Sequence, residues 1–249
     1  MLFTTIDPFG AAEFAAAISK RELAKMEFIT TAKQIKDSHD TKQVKIGDAV
    51  CINNNSGVVI GIGPSGITMI SAFWNERRCS WYEHHLNLAP DMRRTDSSYM
   101  NSVGHFVLTD ANSYYDGRAN TDAIAKLLHK KDKYARTFFP VFEHCIELGK
   151  ECFLPSINQL VELFKEDIIK PVNSTLSYFH ADEIKPQEYE LRLWSSTDDV
   201  ERLYKDHCCS ESGAYALVVS VDGKIEKQVI SKKEEICVLP FFNYSFSLG

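Results

Sequence analysis

Hydrophobic spacing along the chain changes period twice. From Ala11 to Lys36 the residues are helix formers, rich in Ala, Lys and Glu, and predict a helix. Its apolar positions, Phe14, Ile18, Leu23, Met26, Ile29 and Ile35, do not form one stripe. The stripe shifts around the helix, as it does when both sides meet partners. Two readings follow: an arm that packs against a neighbour, or a helix lying on its own domain. From Val44 the pattern becomes that of strands. Val44 to Ile52, Val58 to Ile62 and Ile67 to Trp74 are short β-branched runs separated by Asn-Ser-Gly and Gly-Pro-Ser-Gly, punctuation that predicts a small meander. Pro90 to Ser102 is polar and reads as a loop.

Helical periodicity then returns. Thr121 is placed to cap a helix reaching about His129, with Asp122 complementing the dipole. Val141 to Leu148 forms a second helix that Gly149 stops. Ser156 followed by Ile157-Asn158-Gln159 is a capping box, and Leu160, Leu163, Phe164 and Ile168 share one face of a helix ending at Pro171. Strands close the chain: Arg192 to Ser195, Ala214 to Val221, Ile225 to Ile230 and Ile236 to Phe242, with an Asp222-Gly223 hairpin turn between the second and third. Helices followed by an antiparallel sheet predict an α+β class. The expected division is a helical N-terminal arm (1–42), a small β-rich subdomain (43–103) and a larger domain (104–249).

Composition narrows the function classes. At 249 residues, 44% hydrophobic and 25% charged, the chain can bury a core without metal or disulfide staples. A net charge of -6 leaves no basic face for nucleic acid, and the run His129-Lys130-Lys131-Asp132-Lys133 reads as a solvated helix end. The seven cysteines, Cys51, Cys79, Cys145, Cys152, Cys208, Cys209 and Cys237, have no framework spacing and read as free thiols of a reducing compartment. Met1 to Ser19 lacks the pattern of a signal peptide, and no run has the length of a membrane span. The expected history is therefore synthesis in cytoplasm, without membrane insertion.

Candidate chemistry is sparse. Gly61 and Gly63 lack the third glycine of a dinucleotide fingerprint. Asn112, Asp116, Gly117 and Asn120 imitate a calcium loop, but Tyr114 occupies a liganding position and Ala123 replaces the bidentate Glu. The His-Cys pairs are adjacent in sequence, which points their side chains apart on a strand or helix. Cys237 sits in an apolar strand that raises a thiol pKa. No catalytic residue, metal or cofactor is expected. The segment from Trp74 to His85 gathers aromatics, arginines and histidines, residue types that mark contact surfaces. Its tryptophans fit equally well as core residues of successive strands.

Four blocks stand in a recognisable order: Asp116-Gly117-Arg118-Ala119-Asn120-Thr121, Cys152-Phe153-Leu154-Pro155-Ser156, Leu193-Trp194-Ser195-Ser196-Thr197, and the Asp-Gly hairpin. In order and spacing they resemble the lectin-like Fibrobacter-type paralogous domain family, found in gut bacteria and their phages. The resemblance covers about Gly104 to Phe246 and implies a C-type-lectin-like fold used for binding and display. Gly117, Asn120, Leu154, Pro155, Ser156, Trp194, Ser195 and Ser196 are its motif positions and are expected to be scaffold. Where the family closes on a strand with two arginines, this chain has Cys237-Val238-Leu239-Pro240-Phe241-Phe242. The polar stretch Asp198 to Ser212 falls in the region that forms the variable binding surface of lectin-like folds. The expected ligand contacts are Arg202, Tyr204 and His207, together with Trp81 and Tyr82. The expected function is that of a phage virion component (fibre, decoration or tail-associated) that forms homo-oligomers, meets other structural proteins through residues 1–42, and attaches to a surface glycan or protein receptor. The alternative is a cytoplasmic enzyme or small-ligand protein using the same loop face.

Overall fold

The computed structural model describes residues 20, 22–36, 43–64, 66–74, 77–82, 110–130, 139–199 and 213–246. Helix α1 (residues 22–31) is followed at once by strand β1 (Lys33–Gln34), so the predicted helix stops short of Lys36. Tertiary pairing overrides helix propensity here. β1 runs parallel to β2 (Ala49–Ile52), Lys33 opposite Val50, and Ile35 is buried beneath the sheet. β2 turns into β3 (Asn55–Gly63) through Asn53 and Asn54, both at positive φ, a conformation asparagine tolerates. The turn thus precedes the expected Asn-Ser-Gly punctuation. β4 (Gly66–Ser71) pairs with β3, Gly63 opposite Gly66, and ends at Ser71, short of the expected Trp74. Gly57 has no room for a side chain, since a Cβ would stand 2.2 Å from the Ile70 carbonyl oxygen.

β5 (Arg78–Cys79) precedes α2 (Gly117–Lys130), α3 (Pro140–Glu147), β6 (Cys152–Phe153), α4 (Ile157–Leu163) and α5 (Glu166–Tyr178). Two predicted boundaries are corrected. α2 starts at Gly117, before Thr121, because Asp116 Oδ1 caps it by accepting from the Ala119 N–H at 2.9 Å. The helix opened by Ser156 breaks at Phe164 and resumes as α5, which passes through Pro171 to Tyr178. The proline is accommodated by Gly47 (φ +88), whose missing Cβ would lie 2.7 Å from that of Pro171. Thr175 Oγ1 anchors the same contact by donating to the Gly47 carbonyl at 2.5 Å. Gly149, at φ +124, ends the turn after α3 in the conformation glycine permits.

β7 (Leu191–Asp198), β8 (Gly213–Val219) and β9 (Ile225–Ser231) form an antiparallel meander, with the predicted Asp222-Gly223 turn between the last two. The predicted strand Ile236 to Phe242 is two strands, β10 (Ile236–Cys237) and β11 (Phe241–Ser245). Between them Val238-Leu239-Pro240 carries the chain from one sheet to another, and Pro240 has no N–H to continue a ladder.

Among the described residues one sheet has the order β1-β2-β3-β4-β11-β6 and the other β5-β10-β7-β8-β9. The molecule is α+β. β4 pairs with β11 from Gly66–Ser245 to Ile70–Phe241, and β5 pairs with β10, so strands of the expected β-rich subdomain share both sheets with the C-terminal strands. Two apolar clusters fill the interior. One surrounds Trp81, Phe142 and Trp194; the other joins α1, α4 and α5 to the first sheet through Phe28, Leu160 and Val172. Phe28 meets the rings of Phe179 at 4.6 Å and Phe73 at 6.1 Å, which fixes α1 on its own fold. The opposite face of α1 leaves Leu23, Met26 and Ile29 exposed at 63%, 64% and 50%.

Candidate functional site

A buried polar network joins the first turn of α2, the capping box of α4 and the middle of β7. Between Trp194 and Asp198 the β7–β8 register slips, so that Ser195, Ser196 and Thr197 stand opposite Tyr215. Such a bulge breaks the ladder and re-aims side chains. Ser195 Oγ repairs the break by donating to the Tyr215 carbonyl at 2.6 Å. The Ser196 N–H donates to the Pro155 carbonyl at 2.8 Å, and Thr197 Oγ1 accepts the Ile157 N–H at 3.1 Å while donating to the Ser113 carbonyl at 3.0 Å. Asn120 completes the node. It accepts the Ser113 N–H at 2.9 Å and donates to the Ser113 carbonyl and Ser196 Oγ at 2.8 and 3.0 Å.

Gly117 and Arg118 tie this node to its surroundings. The Gly117 N–H and the Ser156 N–H share Gln159 Oε1, while Ser156 Oγ accepts the Gln159 N–H. Both helix starts are therefore satisfied by one glutamine. Arg118 donates to the carbonyls of Lys150, Glu151 and Cys152, and its guanidinium lies 4.8 Å from the Phe153 ring centre. Thr121 Oγ1 donates to the Gly117 carbonyl and accepts the Leu154 N–H. Trp194 Nε1 donates to the Cys79 carbonyl and Trp81 Nε1 to the Ser195 carbonyl, at 2.8 and 2.9 Å. Arg118, Asn120, Thr121, Trp194, Ser195, Ser196 and Thr197 thus bond to partners within the fold, while Asp116 stays exposed as the cap of α2.

Beyond this network lies a pole built on an ion pair. Lys232 Nζ is 2.6 Å from Asp198 Oδ1, with side-chain exposures of 4% and 0%, and stands 4.3 Å above the Trp81 ring. The Lys232 carbonyl accepts the N–H groups of Trp81 and Tyr82 at 2.9 and 3.1 Å. Phe139 packs on both rings, 5.8 Å from Trp81 and 5.7 Å from Tyr82. Close by, Asp198 N–H donates to the Ala111 carbonyl at 2.8 Å, and Asp199 N–H approaches the Gly213 carbonyl at 3.4 Å. Tyr82, Ala111, Phe139, Asp199 and Gly213 therefore lie together around this ion pair.

Of the expected ligand contacts, Trp81 and Tyr82 are buried. Arg202, Tyr204 and His207 lie outside the described residues. The structure brings Trp81 and Tyr82 together with Lys232 and Asp198, a pairing the sequence reading did not single out. Lys232 follows Ser231 and precedes Lys233, a context indistinguishable from an ordinary solvated lysine. Burial raises the pKa of the Tyr82 hydroxyl and of the Cys237 thiol, and pushes that of Tyr244, whose oxygen accepts from Asn55 Nδ2, up to about 12.

The exposed side of α1 borders an open groove of about 690 Å³ whose walls include Leu23, Glu27, Phe73, His180 and Asp182. A second groove, of about 520 Å³, lies beside Trp74, Arg78, Tyr189 and Glu190. Among the described residues no group of three or more His, Cys, Asp or Glu is placed to hold a metal ion, and no helix is long and apolar enough to cross a membrane. No family model, curated protein or solved structure matches the chain.

Proposed function

We propose that the chain is a non-enzymatic structural and binding protein with a C-type-lectin-like fold, a phage virion component displayed for assembly or host-surface attachment. The observation that carries this reading is the pole. Tyr82, Ala111, Phe139, Asp199 and Gly213 converge around the buried Asp198–Lys232 pair, beside a network whose side chains bond within the fold, the arrangement of a rigid scaffold. The order of the Asp-Gly-Arg-Ala-Asn-Thr, Leu-Pro-Ser and Trp-Ser-Ser-Thr blocks adds the lectin-like family to the argument. The apolar outer face of α1 supports contact with other structural proteins or a second copy through residues 1–42.

The test is binding of the purified full chain to a glycan array and to bacterial cell surfaces, beside an Arg202→Ala/Tyr204→Ala variant. Retention by a defined class of glycan or surface protein, reduced at least tenfold in the variant, is expected. Retention that the variant leaves unchanged removes the binding surface from 200–212, and no retention on any surface overturns the attachment reading.

A further inference from the structure

Two tyrosines meet beside the polar network. Tyr114 precedes α2 and Tyr215 lies in β8, 101 residues further along the chain. The Tyr114 hydroxyl donates to the Tyr215 hydroxyl at 2.9 Å. The ring centres stand 5.2 Å apart with the planes tilted by 59°, so the rings converge towards their oxygen ends. The ortho carbons of a phenol adjoin the carbon that bears the oxygen, and each ring therefore brings one of them to the place where the hydroxyls meet. Both backbones are held. The Tyr114 carbonyl accepts the Asn158 N–H at 3.1 Å, and the Tyr215 carbonyl accepts Ser195 Oγ at 2.6 Å. Both rings pack on the apolar cluster of α4 and α5 but are only partly buried, which leaves them within reach of a solute that removes electrons.

We propose that Tyr114 and Tyr215 are an oxidative cross-link site, joined as a dityrosine when the folded chain meets a one-electron oxidant such as a haem peroxidase supplied with hydrogen peroxide. Each phenol gives up one electron and its hydroxyl proton and becomes a phenoxyl radical. The unpaired electron is shared between the oxygen and the ortho carbons. The two radicals pair through one ortho carbon each, and a C–C bond forms. Each of those carbons then loses its hydrogen as a proton while its ring oxygen takes one up, which restores two phenols. The two electrons and two protons released reduce one peroxide, whose O–O bond breaks to give two waters. The balance is two tyrosines and one peroxide to one dityrosine and two waters. Radicals free in solution must first find each other. Here the partner is already in place, and a held geometry of this kind replaces a bimolecular encounter with a unimolecular step. The product ties the start of α2 to β8 through a bond that thiols do not reverse.

The experiment treats the native full chain, at low concentration, with peroxidase and hydrogen peroxide. Single chains are recovered by denaturing electrophoresis, reduced, alkylated, cut with trypsin and read by mass spectrometry. Cleavage after Arg94, Arg118, Lys205 and Lys224 places Tyr114 in peptide 95–118 and Tyr215 in peptide 206–224. The expected result is that pair, joined by a bond that dithiothreitol leaves intact, lighter by two hydrogens than the sum of its parts, with fragment ions locating the bond at Tyr114. Tyr115, the next residue, is 78% exposed and serves as the control. The link should persist in Tyr115→Phe and be absent from Tyr114→Phe and Tyr215→Phe, with unchanged circular dichroism in all three. Recovery of both peptides unlinked from single chains whose other tyrosines have been oxidised overturns the proposal. So does a bond located at Tyr99 or Tyr115 in place of Tyr114, or one found only between chains. The readout involves no ligand, so it stands or falls separately from the attachment reading.

Discussion

The Asp198–Lys232 pair shows what one side chain does at the root of the pole. Both charges have left water, a transfer that costs several kcal/mol per ion before their attraction and the Trp81 face offset it. Removing Lys232 takes away the cation that faces the buried Asp198 carboxylate. Lys232→Met leaves a buried carboxylate without its facing cation and is expected to lower unfolding stability by up to about 3–5 kcal/mol. The double replacement Lys232→Met/Asp198→Leu removes both desolvation penalties and should return to within about 1 kcal/mol of the starting protein. Urea unfolding of the four proteins of the cycle checks this. A single replacement that costs less than about 1 kcal/mol means that the pair is solvated, and the pole is not then built on it. The Lys232 carbonyl also holds the Trp81 and Tyr82 N–H groups, a backbone role that survives any substitution.

Elements obey local chemistry where it is strong and tertiary contacts where it is not, and α2 contains both cases. Gly117 opens that helix, where alanine would ordinarily gain about 1 kcal/mol in propensity. A Cβ there would stand 2.4 Å from the Leu154 carbonyl oxygen and 2.5 Å from the Ser156 nitrogen, both backbone atoms that cannot swing away. The clash wins. Gly117→Ala is expected to destabilise by about 1–3 kcal/mol, seen as a lower urea midpoint with an unchanged slope. An equal or raised midpoint would mean that the α2 start and the α4 cap are not in contact. The same distinction sets what could be read in advance. The Ser156 capping box, the Gly149 stop and the Asp222-Gly223 turn were legible because each is complete within about four residues. The strand state of Lys33 and Gln34, the passage of α5 through Pro171 and the sheet change at Val238-Leu239-Pro240 were not. Each depends on a partner far away in sequence: β2, Gly47 and β4 respectively. At the candidate site the aromatic segment around Trp81 was visible as unusual composition. Lys232 was not, since nothing local distinguishes a lysine that an aromatic face and an aspartate will cover.

At the scale of the molecule, the N-terminal strands and the C-terminal ones are stitched together by β11 between β4 and β6 and by β10 between β5 and β7. α1 and the residues that follow it are tied in as well, because Phe28, Ala32 and Ile35 are buried. Deleting residues 1–42 would therefore cut into the core, and assembly through this region is better probed on its outer face. Leu23, Met26 and Ile29 recur every third residue along the exposed side of α1, while Ala24 and Phe28 hold the other side down. An apolar row of this kind can be covered without disturbing the fold. If residues 1–42 mediate self-association, light scattering coupled to size exclusion should find a defined oligomer for the full chain. Leu23→Glu/Met26→Glu should dissociate it by at least tenfold in affinity, with unchanged circular dichroism, because each carboxylate buried at such a contact lacks a partner. A full chain that is monomeric at every concentration sinks the self-assembly reading. An oligomer that survives both substitutions moves the interface off α1, leaving that row for a different protein of the particle.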